Sequence, residues 1–359
     1  MGVRSTRRGR GGVRSGGGMP GRTLRIAAEY VSGSANAWYR AVLPLRELER
    51  RGHRVIWPGP GGYRELLSRT GEYDVFLLHH FFAEEHLELV RRLRGAGVAV
   101  VWDKDDDIAN TPRFAPAYRE YGGRRGVRRC FARSVEIAAT ASLMTTPSAH
   151  LAARYRERGV EHVETIENHV APEDVGGARP RRQGVTIGIV AGGEHAQDFK
   201  RLRIDRTLRR LLDAHEGVRV VTIGCAHDLP EGRRVHRAHV PIEQLIAAER
   251  GFDIGLAPLA DLPFNHARSN VKLKEYAAAG AMWLASPVGP YRGMGEAQGG
   301  ALVGDRDWYA TLERYVLDVE ARTALMERAR VWAQGESCDR AARRWEAAFR
   351  GAVTRGRAG

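Results

Sequence analysis

Short apolar runs alternate with stretches of helical periodicity twice over, in two blocks separated by a segment that has neither. In the first block Leu24-Arg25-Ile26-Ala27-Ala28 reads as a strand, Gly33-Ser34-Ala35-Asn36 as a small polar loop, and Tyr39, Val42, Leu45 and Leu48 as one face of a helix. Further strands are expected at 55–57, 73–78, 98–102 and 143–146, with helices at 86–93 and 131–139 and one from Ser148, whose place before an apolar-periodic run suits an N-cap. The second block restarts with strands at 185–190, 218–223, 252–257 and 281–285 and helices at 204–212, 242–248 and 270–279. From residue 305 the pattern is helical, with Trp308, Tyr315, Leu325, Trp332 and Trp345 as apolar anchors. Strands alternating with helices imply parallel sheets covered on both faces.

This pattern predicts an α/β chain of two Rossmann-like domains facing a cleft. The expected divisions are a basic start at 1–21, a first domain at 22–168, a linker at 169–183, a second domain at 184–335, and a C-terminal helix and tail at 336–359 that returns to the first domain. The linker holds two prolines, two glycines and several arginines with little apolar content. With 359 residues, 43% hydrophobic and 28% charged, the chain can bury two cores, which excludes global disorder and a collagen-like fibre. Cys130, Cys225 and Cys338 lie far apart and match neither a disulfide framework nor a zinc site. No apolar run approaches the roughly 18–20 residues that span a bilayer, and the start lacks a secretory apolar region, so a cytoplasmic protein is expected. The net charge is +14, but the first 19 residues carry five arginines and no acid, leaving +9 for the rest. Those residues read as a tail or as the product of an upstream start codon, with Met19 the alternative beginning.

Ligands of open α/β sheets sit outside the carboxyl ends of the strands. Four loops there carry chemistry. The first is Gly33-Ser34-Ala35-Asn36, where small residues admit a substrate to the backbone; no GxGxxG follows, which removes the best support for a dinucleotide. The second is Asp103-Lys104-Asp105-Asp106-Asp107. Capping and ion pairing come first for such a run, a bound cation second, and an acceptor-orienting or catalytic carboxylate stays open. The third is Gly192-Gly193-Glu194-His195-Ala196-Gln197-Asp198, either a phosphate cradle with a histidine donor or a plain turn capped by Asp198. The fourth runs from Asn265 through Arg268, Ser269, Asn270 and Lys272 to Glu275 and Gly280. Lys272 and Glu275 share a helix face, so a cation can hold phosphates while a carboxylate accepts ribose hydroxyls; an i, i+3 surface ion pair is the plainer alternative.

The stretch 253–291, with Asp253-Ile254-Gly255-Leu256-Ala257-Pro258-Leu259, the Arg268-Ser269 to Glu275 helix start, Gly280 and Ser286-Pro287, resembles the donor-binding region of GT-B glycosyltransferases of the family 4 type. Tyr39-Arg40, Gly52-His53-Arg54-Val55, the 103–107 run, Thr146-Pro147-Ser148 and Glu167-Asn168-His169-Val170 agree with it over roughly residues 24–349. The resemblance implies a GT-B fold and a nucleoside-diphosphate sugar as co-substrate, with no metal or other cofactor. It makes His195, Lys272 and Asp103 the expected catalytic groups. Gly192, Gly193, Asp198, Arg268, Ser269, Asn270, Lys272 and Glu275 are expected on the donor side, with Glu275 on the ribose. Gly33, Ser34, Asn36, Asp105 and Asp106 are expected on the acceptor side. The family's first motif glutamate, eight positions before the ribose glutamate, is Ala267 here.

The expected partner is thus a nucleotide-sugar donor with an unidentified glycan, lipid-linked, protein or natural-product acceptor. A sugar-nucleotide epimerase or hydrolase on the same fold is the second reading. A basic binding protein is the third: Arg124, Arg125, Arg128 and Arg129 suit peripheral contact with an anionic membrane at its inner face, with nucleic acid ranked behind.

Overall fold

The computed structural model describes residues 22–59, 61–180 and 183–358; the basic start lies outside the described residues. Among the described residues, twelve strands form two fully parallel six-stranded sheets. The first contains β1 (Arg25–Glu29), β2 (Arg54–Ile56), β3 (Val75–His79), β4 (Ala99–Asp103), β5 (Leu143–Thr146) and β6 (Val163–Thr165), in the order β2-β1-β3-β4-β5-β6. The second contains β7 (Val185–Ala191), β8 (Val218–Gly224), β9 (Arg234–Arg237), β10 (Ile254–Ala257), β11 (Met282–Ala285) and β12 (Gly300–Leu302), in the order β12-β11-β10-β7-β8-β9. Strand order reverses between β1 and β3 in one sheet and between β7 and β10 in the other, and such switch points open crevices at the carboxyl ends.

The central strands are buried along their length because helices cover both faces. Three strands escape the apolar-run criterion: β6, β9 and β12. All three are sheet edges of three or four residues, and β9 is the polar Arg234-Val235-His236-Arg237. The helix expected at 131–139 begins earlier, at Gly123–Thr140, and so carries Arg124, Arg125, Arg128 and Arg129 on its exposed side. Ser148 caps Ala149–Arg156, its hydroxyl accepting from the Leu151 N–H at 3.2 Å.

The last helix, Cys338–Ala358, leaves the second domain and packs on the first sheet, where Trp345 and Phe349 join Ile26, Val75 and Val101. Val170 exchanges backbone hydrogen bonds with Glu336 and Cys338 at this crossing. Among the described residues no helix is long and apolar enough to cross a membrane.

Candidate active site

The carboxyl ends of the two sheets face each other across a cleft of about 340 Å³. Its second-domain wall is formed at the β7/β10 switch point by the loop after β7 and the start of helix Val271–Ala278. That helix sits close to the sheet because β10 carries Gly255: a Cβ there would lie 2.3 Å from the Tyr276 ring. Tyr276 then donates to the Leu256 carbonyl at 2.9 Å and accepts from the Val190 N–H at 3.1 Å, which pins the helix across two strands. Lys272 and Glu275, one turn apart, are thereby held over the cleft.

Glu275 is 1% exposed and is engaged on both oxygens. Lys272 donates to one, and the hydroxyl of Tyr39, from the first domain, donates to the other at 2.6 Å. Burial acts against the Lys272 ammonium, yet the charges of Glu275 and Glu249 outweigh it and raise its pKa. Burial, reinforced by Glu275, pushes the Tyr39 hydroxyl well above its usual range, so it stays a donor. Beneath this pair lies Glu249, fully buried with neither carboxylate oxygen hydrogen-bonded among the described residues. Burial, reinforced by the neighbouring Glu275, pushes its pKa well up against the opposing charge of Lys272. Asp174 at the edge of the same group is raised to about 6 by burial and by Glu173 and Glu275, against the opposing charge of Arg250.

On the β7 loop, His195 donates Nδ1–H to Asp198 at 3.0 Å, and Asp198 in turn accepts from Asn265 Nδ2 at 2.8 Å and the Ala260 N–H at 3.1 Å. One buried carboxylate therefore ties the β7 loop to the β10 loop and fixes the imidazole, whose Nε2 lies 3.8 Å from Glu194 Oε1 on the cleft lining. Asp198 acts from behind His195 rather than on the cleft surface.

The first-domain wall handles its charges differently. Asp103 is 0% exposed and lies below the cleft: Arg40 pairs with it at 2.6 Å, His79 Nδ1 at 2.8 Å and Thr145 Oγ1 at 2.6 Å. Burial raises its pKa, but Arg40 and His79 reverse the effect and hold the carboxyl below its usual range. The Arg40 guanidinium also lies 4.9 Å from the Trp345 ring centre, so the returning C-terminal helix closes the network. Asp103, expected as a catalytic group, is buried and does not line the cleft. Asp105 and Asp106 do line the cleft. Asp105 is held well below the usual carboxylate range, because His80 and the buried Lys104 outweigh its burial. His79, His80 and Asp105 set potential metal-ligand atoms within 4.8 Å of one another, and the Lys104 ammonium stands 2.9 Å from His80 Nδ1, so positive charge is already supplied at that point. His80 itself, at the end of β3, adopts φ 74°, a left-handed conformation rare outside glycine.

Ten expected residues come together on the cleft: Gly33, Asn36, Asp105, Asp106, Gly192, His195, Arg268, Ser269, Lys272 and Glu275. Ser34 instead caps its helix, accepting from the Ala37 N–H at 3.1 Å, and Gly193 stands in the turn behind Gly192. Asn270 turns to Glu167 at 3.2 Å. It belongs to a band of contacts joining the domains, with Asn168 donating to Ser269 at 3.2 Å and Ser148 to the Ala267 carbonyl at 2.8 Å. Lys274, fully buried, bonds Glu167 at 2.8 Å, the Asn168 carbonyl at 2.9 Å and Glu336 at 2.7 Å. Ala267 packs among first-domain core residues.

Tyr39 and Lys274 are not among the site residues expected from the sequence. Tyr39 follows the apolar spacing of a core face, but the chain makes a wider π-type turn over Trp38–Val42, which directs Tyr39 to the cleft and Arg40 to Asp103. His239, Val240 and Ile242, which line the far end of the cleft, follow the polar edge strand β9 that left no periodic signal.

No protein-family model and no curated protein matches the sequence. Among solved structures, the chain is similar to Anabaena HepE in complex with UDP and glucose, with a TM-score of 0.63, 13% identity, and coverage of 90% of this chain and 98% of that one. It is similar to a UDP-forming α,α-trehalose-phosphate synthase from Burkholderia xenovorans, with a TM-score of 0.59, 13% identity, and coverage of 92% and 99%. It is also similar to TarM, with a TM-score of 0.55 at 10% identity, covering 77% of this chain and 54% of that one. At these identities the likeness is one of fold: two facing Rossmann-like domains, the GT-B arrangement.

Proposed function

We propose that the protein is a glycosyltransferase that moves a sugar from a nucleoside-diphosphate sugar to an acceptor held on the first-domain wall, with retention of configuration and without a metal ion. The observation that carries this reading is the Lys272–Glu275 pair at the switch point of the second sheet, on the same wall as the Gly192–His195 loop and opening onto a cleft between two domains. HepE was solved with UDP and the Burkholderia enzyme is named as UDP-forming, which makes UDP the first nucleotide to try.

In this reading the donor's ribose hydroxyls replace Tyr39 and Lys272 on the oxygens of Glu275. Released from Glu275, the Lys272 ammonium turns to the diphosphate, joined by Arg268, His195 and the N–H groups of the Gly192 loop. The bond from the sugar carbon to the diphosphate oxygen breaks, a bond to the acceptor oxygen forms, and the proton of the acceptor hydroxyl passes to the departing diphosphate. Negative charge grows on the diphosphate, where fixed cations and N–H dipoles are worth most. Domain contacts such as Arg268 to Asp106 at 3.8 Å draw the walls together and limit water, which favours transfer over hydrolysis. Retention follows from the family resemblance; the missing carboxylate at Ala267 leaves Glu194, Asp105 and Asp106 as the acids on the cleft lining besides Glu275. Arg124, Arg125, Arg128 and Arg129, exposed on the helix beyond Asp106 and without an ion pair among the described residues, support an anionic acceptor or an anionic membrane beside this wall.

The test is calorimetry of the full chain with UDP, GDP, TDP and ADP and their sugar conjugates. One nucleotide is expected to bind at about micromolar strength, and Glu275→Ala to weaken it about 100-fold, the worth of two hydrogen bonds to a charged group. Failure of every nucleotide, or binding that Glu275→Ala leaves unchanged, overturns the assignment.

A further inference from the structure

Behind the His195 loop a second cavity of about 500 Å³ opens on the second domain, between helices Ala196–Arg201 and Ile204–Ala214 and the loop after β8. Phe199 stands in the wall of both cavities. The charges of this second cavity are one-sided. Lys200, Arg203 and Arg206 line it with exposed side chains that form no ion pair or hydrogen bond among the described residues. Its two acids are already taken: Asp228 pairs with Arg209, and Asp205 accepts from His227 Nδ1 at 2.5 Å.

His227 is the most informative residue of the lining. Its side chain is 1% exposed, its ring meets Phe199 at 4.6 Å between centres with the planes tilted by 54°, and its Nε2 is buried without a hydrogen-bond partner among the described residues. An unsatisfied buried polar atom carries a cost that a ligand would remove. With Nδ1–H donated to Asp205, Nε2 is the ring atom left for a hydroxyl of a ligand. The mouth of the cavity adds the first turn of Ile204–Ala214, whose N–H groups lack helical acceptors, and Arg203 just before it adopts φ 53°, a left-handed conformation unusual for arginine. A cationic rim, a helix N-terminus and one buried hydroxyl acceptor call for an anion on a small hydroxylated body.

We propose that this cavity binds a phosphate monoester of a small polyol or sugar, separately from the cleft. The phosphate sits on Lys200, Arg203, Arg206 and the helix first turn, and a hydroxyl of the ligand donates to His227 Nε2. Because Phe199 and His195 belong to one short segment, occupation of this cavity bears on the histidine that faces the cleft. That coupling rests on the proposed function; the binding itself does not.

The experiment titrates the full chain with sn-glycerol 3-phosphate, inorganic phosphate and glycerol, by calorimetry, with and without saturating UDP. Glycerol 3-phosphate is expected to bind at one site, more tightly than inorganic phosphate, with glycerol not binding. The double substitution Arg203→Ser/Arg206→Ser, on exposed side chains, weakens both anions at least tenfold and leaves UDP affinity unchanged. His227→Gln weakens glycerol 3-phosphate alone, leaving inorganic phosphate as before. The proposal is overturned if glycerol 3-phosphate does not bind, if UDP displaces it one for one, or if its binding survives the double substitution. Should His227→Gln fail to fold, the double substitution still decides. Loss of UDP binding with glycerol 3-phosphate intact counts against the glycosyltransferase reading and not against this site.

Discussion

On the first-domain wall of the cleft, Asp103 ends β4 and disappears beneath it, enclosed by Arg40, His79 and Thr145. On the second-domain wall, Lys272 and Glu275 also pair, but they remain at the cleft surface, and their partner from the opposite domain is a single phenol. Both are acid–base pairs at the carboxyl ends of parallel strands. The difference is in what can replace the partners. Asp103 has three protein partners and no opening, so its network serves the fold; Glu275 is held by a mobile-chain cation and a hydroxyl that a ligand's hydroxyls can displace. Burial of a charge alone does not separate structure from function, whereas exchangeable partners do.

The strongest challenge to this contrast is Asp103→Ala. Removal of one partner leaves the Arg40 guanidinium buried and uncompensated, and a loss of about 3–5 kcal/mol of stability is expected in urea unfolding. A variant that keeps its stability while losing transfer would return Asp103 to the catalytic role expected from sequence. Tyr39→Phe is a milder probe. It removes the hydrogen bond between the domains, lowers stability by about 1 kcal/mol, and spares the donor the work of displacing the phenol. UDP affinity in calorimetry should therefore stay level or rise by up to about fivefold; a clear fall would mean that Tyr39 itself holds the donor.

The smallest effect is expected from Asp174→Asn. The folded pKa of Asp174 is raised from 3.8 to about 6, so the favourable contribution of its protonated form is present below 3.8 and is lost as pH rises through 6. The asparagine variant, which cannot ionise, should gain in thermal stability relative to the parent above pH 6 and show no advantage below pH 4. A gain independent of pH would remove Asp174 from the acidic group around Glu275.

Much of the second-domain wall was legible in the chain. Lys272 and Glu275 lie at i, i+3 on a helix that follows an apolar strand, and that spacing alone puts them on one face. Gly192 and His195 follow a strand directly, so their place at a carboxyl end needs only local structure. The acidic run 103–107 was less legible, because adjacent residues leaving a strand point in different directions: Asp103 and Lys104 inward, Asp105 and Asp106 to the cleft, Asp107 to Arg154 at 3.1 Å. Asn270 and Ser269 similarly read as donor contacts, and their partners Glu167 and Asn168 lie over a hundred residues away.

The sequence by itself determined the alternation of strand and helix, and with it two parallel sheets, their central strands and the loops at their carboxyl ends, since these depend on periodicities of two and 3.6 residues within short windows. Tertiary structure alone decided which charges are spent on each other. The π-type turn at Trp38–Val42, the return of Trp345 onto Arg40, and the meeting of Tyr39 with Glu275 across 236 positions all depend on how two domains face each other. Ion pairs and hydrogen bonds act over a few ångströms in space, and no local pattern in the chain records which distant residue will arrive there.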